Sequence, residues 1–79
     1  MQIKLYSLLR MKYQDYDGER GITVECKENM RIKDVFAHLE IDENDVGMVL
    51  VNRKIIKNMD TEVHEHDVIH LFSAVPSGG

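Results

Sequence analysis

Met48-Val49-Leu50-Val51-Asn52-Arg53-Lys54-Ile55-Ile56 is the stretch on which the fold turns. Met48 to Val51 is too short for a helix and rich in β-formers, so it reads as a buried central strand. Asn52-Arg53 follows, and Asn tolerates positive φ. A two-residue hairpin turn into Lys54-Ile55-Ile56 is therefore expected, although Asn-Gly would be a stronger turn signal. A hairpin cannot bury both its faces alone, so the flanks must supply a sheet and its cover.

Toward the C-terminus, Asp60-Thr61-Glu62-Val63 is expected as a short helical turn, and Val68-Ile69-His70-Leu71-Phe72 as a last strand. Toward the N-terminus, Ile32, Val35, Phe36 and Leu39 fall at i, i+3, i+4 and i+7. That spacing draws one apolar stripe along a helix, with Arg31, Lys33, Asp34 and His38 off it. Asn29 or Arg31 would stand at its cap, neither with a full capping box. Glu40 to Gly47 reads as an acidic loop. Ile22-Thr23-Val24-Glu25-Cys26-Lys27 alternates cleanly, as a strand antiparallel to a first one at Ile3 to Leu9, across the polar loop Asp15 to Gly21. The order is strand, strand, helix, strand, short strand, strand. One helix packed across one face of a mixed sheet of four to five strands satisfies it, and the class is α+β.

Seventy-nine residues, 43% of them hydrophobic, make one domain. Nearly every apolar side chain is needed for one core, leaving little to wall a catalytic cleft of several hundred Å³. That favours a carrier, binding module or subunit over an autonomous enzyme. Fourteen acidic against ten basic residues give a net charge of −4 without a basic run, so nucleic acid is not an expected partner. The longest apolar run, Met48 to Val51, is far below the ~20 residues of a membrane span, and the alternating Met1 to Tyr6 is not expected to be a signal peptide. Cys26 is the single cysteine, so neither an internal disulfide nor a cysteine zinc cluster is open to the chain, and the cytoplasm is the expected compartment.

The apolar pattern stops after Phe72, and the sequence ends Ser73-Ala74-Val75-Pro76-Ser77-Gly78-Gly79. Residues 1–72 are expected to form the body and residues 73–79 a flexible tail. At ordinary usage a Gly-Gly end arises by chance in ~0.5% of chains; a frayed end or a tag scar would also leave small residues. Physically, a Gly-Gly arm suits threading a terminal carboxylate into a narrow channel of another protein. A carboxylate is a poor electrophile, and ATP can activate it as an acyl adenylate for attack by sulfur or nitrogen.

The strand order, the hairpin at Val51-Asn52-Arg53, Asp67 ahead of the last strand and the terminal Ser77-Gly78-Gly79 resemble the ubiquitin-like β-grasp sulfur carriers, the MoaD/ThiS family. This family includes the small subunit of molybdopterin synthase and the thiamine-biosynthesis carrier. The resemblance covers essentially the whole chain and is most specific over Met48 to Phe72 and at the Gly-Gly end. It implies that an E1-like enzyme adenylates Gly79 with ATP and that the chain itself binds no cofactor. It further implies a sulfur donor of cysteine desulfurase or rhodanese type, a thiocarboxylate on Gly79, and delivery to an acceptor synthase. That acceptor would be a molybdopterin synthase large subunit or a thiazole synthase. Gly78 supplies the slender backbone behind the reacting carboxyl, and Ser77, Pro76, Val75 and Phe72 are expected to meet these partners.

The chain also departs from the family's pattern. Ala74 and Val75 stand where the molybdopterin subunit has a proline pair, Pro76 comes one step later, and Ser73 replaces an aromatic. His66-Asp67 replaces Gly-Asp, and Asn52-Arg53 replaces Asn-Gly. Pro76-Ser77-Gly78-Gly79 leans toward the pterin pathway, with the thiamine thiazole next. A ubiquitin-like modifier joined to lysines through Gly79, a tRNA-thiolation carrier and a β-grasp binding domain with an inert tail are the rival readings.

Among the remaining residues, His64, His66 and His70 would share one side of an unbroken strand but read better as solvated turn histidines than as a metal site. Cys26, in phase with Ile22 and Val24, reads as a small buried hydrophobe. Asp42, Glu43 and Asp45 read as a solvated loop. Phe72 is divided between core and interface, while Val75, beyond the last strand, leans toward interface.

Overall fold

The hairpin forms where Asn52 and Arg53 place it. In the computed structural model, which describes residues 1–6, 9 and 21–74, both adopt positive φ, 51° and 71°. Strands β3 (Val46–Val51) and β4 (Lys54–Ile56) close around them with Val51 opposite Lys54. Two successive left-handed residues give the turn whose twist matches paired strands. Strands β1 (Gln2–Tyr6), β2 (Ile22–Thr23) and β5 (Val68–Ser73) complete a five-stranded sheet in the order β2-β1-β5-β3-β4. β1 and β5 run parallel at its centre, and the other neighbours are antiparallel.

Helix α1 (Ile32–Leu39) lies on one face and buries the predicted stripe of Ile32, Val35, Phe36 and Leu39. Ile3, Leu5, Val49, Ile69 and Leu71 meet it from the sheet. These are alternate residues of three adjacent strands, so strand periodicity alone aims them at the helix. The result is the β-grasp arrangement.

Local chemistry explains both ends of the helix. Arg31 stands at the N-cap; its side chain has no acceptor, and the Asp34 carboxylate instead accepts the Arg31 N–H at 2.9 Å. The free N–H groups of Ile32 and Lys33 donate to the carbonyls of Thr61 and Met59, at 3.0 Å each, which ties the helix start to the 59–61 loop. At the other end Glu40 turns left-handed, its N–H donates to Ala37, and Ile41 donates to Phe36. This is a Schellman end, closed by burial of Ile41.

Four expectations need correction. The strand expected over Ile22 to Lys27 ends at Thr23: Met1 and Val24 exchange the last backbone bonds, at 2.9 and 3.0 Å, and among the described residues no strand faces Glu25 to Lys27. Val24 is nevertheless buried, and Cys26 packs against the core half-buried. Asp60 to Val63 is not helical. Asn58 organises a turn there by accepting from Asp60 N–H and Thr61 N–H, and Glu62 bridges Arg31. The acidic loop holds a 3-10 turn at Glu43–Asp45, and β3 begins at Val46, earlier than Met48. Finally, β5 includes Ser73, and Ala74 N–H donates to Asp45 carbonyl at 2.9 Å, so the sheet holds the chain through the first two residues assigned to the tail. Ser7, Leu8 and Asp15 to Arg20, the rest of the first expected strand and loop, lie outside the described residues.

Candidate functional site

The strand β5 that fills the sheet's centre also carries the chain toward its terminus. Its last residues lie against β3 through an irregularity: Val46 faces Ser73, Met48 faces Phe72, and the register shifts at Gly47 between them. A Cβ at Gly47 would sit 2.8 Å from Ala74 Cα and 3.0 Å from the Ser73 carbonyl oxygen, closer than packed atoms approach. Glycine therefore lets the outgoing chain pass directly over β3. The bond from Ala74 to Asp45 fixes that exit. Beyond it, five further residues extended span at most about 17 Å.

The sheet face away from the helix presents the alternate residues of the same strands. Lys4 faces His70 and Tyr6 faces Phe72 across β1 and β5, while Met48 and Leu50 continue the two rows onto β3. Tyr6 stacks on Phe72 with ring centroids 4.4 Å apart, and its hydroxyl lies 2.8 Å from His70 Nδ1. Phe72 is thus half-buried on the open face and not part of the helix-side core. Met48 and Ile55 are exposed, at 38% and 62%. Beside the exit there is an aromatic and aliphatic surface suited to a protein partner.

The other end of this face is locked. Asn52 Nδ2 donates to Asp67 Oδ1 at 2.7 Å, its Oδ1 accepts Val68 N–H at 3.0 Å, and Asp67 Oδ2 accepts His64 N–H at 2.8 Å. Asp67 joins the hairpin to the segment entering β5 and so fixes that strand's position. His64 and His66 stay exposed, and a turn at Glu65-His66 removes them from the strand that holds His70. No three histidine, cysteine or carboxylate groups converge among the described residues. Burial, then Lys4 and Arg53, lower the pKa of His70 below its ordinary value.

Of the site residues expected from sequence, the structure describes Phe72 alone; Val75, Pro76, Ser77, Gly78 and Gly79 lie outside the described residues. Sequence reading missed Tyr6, Met48 and Gly47. The first was accessible: Ile3 and Leu5 point inward, so Lys4 and Tyr6 must share the other face with His70 and Phe72. Gly47 carries no such signal, since its role depends on a neighbour 27 positions away.

The family model described as the ThiS family matches residues 10–79, nearly the whole sequence and through its final glycine. The chain belongs to the ThiS family. Searches of curated proteins and of solved structures found no match. Membership makes this ThiS-family chain a small β-grasp sulfur carrier, of a kind that works with activating and synthase partners in general. No helix among its described residues is long and apolar enough to cross a membrane.

Proposed function

We propose that this ThiS-family chain carries sulfur as a thiocarboxylate on Gly79. An E1-like partner joins the Gly79 carboxylate to the AMP portion of ATP with release of pyrophosphate. The terminal sulfur of a persulfide on a desulfurase or rhodanese-type donor displaces the AMP to give an acyl disulfide. A second thiol then cleaves its S–S bond, leaving the thiocarboxylate on Gly79 and a disulfide on the thiols. The carrier supplies only the acyl group; ATP is bound and spent by the partner. Ser77 and Gly78 give the arm its slenderness, Pro76 favours an extended approach, and Val75 and Phe72 seat against the enzymes that receive it. The observation that carries this reading is the family match, which runs unbroken into Ser77-Gly78-Gly79. The sheet's hold on the chain as far as Ala74 supports it too, because a fixed base makes the arm's reach definite. Of the possible destinations we favour a molybdopterin or tungstopterin synthase over thiazole synthase, on Pro76-Ser77-Gly78-Gly79.

Incubation with an activating enzyme of the same source, ATP and a sulfur donor is expected to raise the intact mass by the difference between sulfur and oxygen. Removal of Gly79 is expected to abolish that gain. An unchanged mass with every such enzyme, or full sulfur transfer without Gly79, would defeat the proposal. Recovery of Gly79 joined to lysine in extract digests would instead favour the modifier reading.

A further inference from the structure

Lys4, Asn52, Arg53, Val68 and His70 line a shallow depression of about 370 Å³ on the helix-free face, at the hairpin end of the sheet. Lys4 and His70 are register partners, and Arg53 rises from the adjoining turn. The chain has a net charge of −4, yet this corner gathers two permanent cations and a histidine. Neither Lys4 nor Arg53 forms an ion pair among the described residues. Among the described residues no carboxylate lines the depression; Asp67, whose side chain is 12% exposed, already accepts from Asn52 and His64. Burial lowers the proton affinity of His70 first, and Lys4 and Arg53 both lower it further.

Backbone conformation supplies a second, independent observation. Arg53 has φ of 71°, in a turn position where glycine carries no steric cost. An arginine there holds a backbone conformation that costs it more than it would cost glycine.

We infer that this depression docks an acidic segment of a protein partner, its carboxylates on Lys4 and Arg53 and an adjoining apolar side chain on Leu50 and Ile55. Charge complementarity selects the occupant. A phosphate backbone is less suited, because it would meet few cations and then the negative remainder of the molecule. The site is separate from the tail exit. β5 runs from Val68 beside the depression to Ser73 at the exit, about 17 Å along the strand. The inference goes beyond the carrier reading, since docking here involves no chemistry at Gly79.

The test is titration of the full-length, ¹⁵N-labelled chain with a peptide of alternating Glu and Leu at low salt. The largest amide shifts are expected at Lys4, Asn52, Arg53 and His70. Affinity is expected to fall about tenfold or more in the Lys4→Glu, Arg53→Glu double variant. It should stay within about twofold when the exposed Lys27 and Lys57, away from the depression, are changed to Glu. Arg53→Gly guards against misfolding: it should bind more weakly while unfolding at higher denaturant. Shifts centred elsewhere, equal losses in the Lys27 and Lys57 variant, or tighter binding of a single-stranded oligonucleotide at the same residues would each overturn the inference.

Discussion

A carboxylate with three donors around it does more for this fold than its place in a loop suggests. Asp67 accepts from Asn52 Nδ2 and His64 N–H and lies 3.5 Å from His64 Nδ1. Asp67→Ala strips the hairpin of its anchor and is expected to cost about 2 kcal/mol, read from urea unfolding. Arg53→Gly relieves a left-handed residue and is expected to add about 1 kcal/mol in the same assay. Loss of stability in Arg53→Gly would show that the arginine has folded-state contacts outweighing its strain. His70 gives a pH effect of definite sign. Its folded pKa lies below the ordinary 6.5, mainly through burial, with Lys4 and Arg53 adding. Above that ordinary value both states are neutral at this site. As pH falls through it the unfolded chain takes up the proton first, and stability drops until the folded state's lower pKa is passed. His70→Gln should therefore lose less stability than the parent as pH falls through the ordinary histidine value.

Elements meet here through backbone as much as through side chains. Helix α1 is held at its start by the carbonyls of Met59 and Thr61 and by Lys33 paired with Asp60 at 2.8 Å. Lys33 lowers the pKa of Asp60, first by hydrogen bonding and then by charge, but the pair is exposed to solvent and screened. The helix's stability comes from its stripe: Phe36→Ala should cost about 3–5 kcal/mol in thermal or urea unfolding. The β3–β5 contact depends on a missing side chain. Gly47→Ala places a methyl group 2.8 Å from Ala74 Cα and must displace the end of β5, a cost of about 1–3 kcal/mol. Slowed thiocarboxylate formation, at a temperature where the variant remains folded, would follow if the chain's exit direction matters to the activating enzyme. Unchanged unfolding would show that β5 can yield there freely.

The whole molecule separates stability from reactivity. Ile3, Leu5, Ile69 and Leu71 are at most 2% exposed, whereas the reacting carboxyl assigned to Gly79 lies five residues beyond Ala74, the last described residue. Deleting Ser77 to Gly79 should leave the urea unfolding free energy unchanged within about 0.5 kcal/mol, because the core of the described residues is complete at Leu71. It should also eliminate sulfur loading. A large fall in stability would mean that the tail packs on the body. On the proposed carrier function a small core suffices, because the catalytic cavities then belong to the partner enzymes.

The helix, the hairpin and the central strands were legible because each is written locally: a 3.6-residue stripe, a period-2 face, an asparagine before a turn. The Gly-Gly end is equally local, being two consecutive residues. What the sequence determined was thus the class, the order of elements and the family. Tertiary structure decided what depends on distant partners. It ended β2 at Thr23, where β1 begins, and fitted Gly47 under Ala74. It also locked Asp67 to Asn52, and brought Lys4, Arg53 and His70 to one corner of an acidic protein. Those contacts join residues separated by 15 to 66 positions, and only strand pairing across the sheet fixes which of them meet.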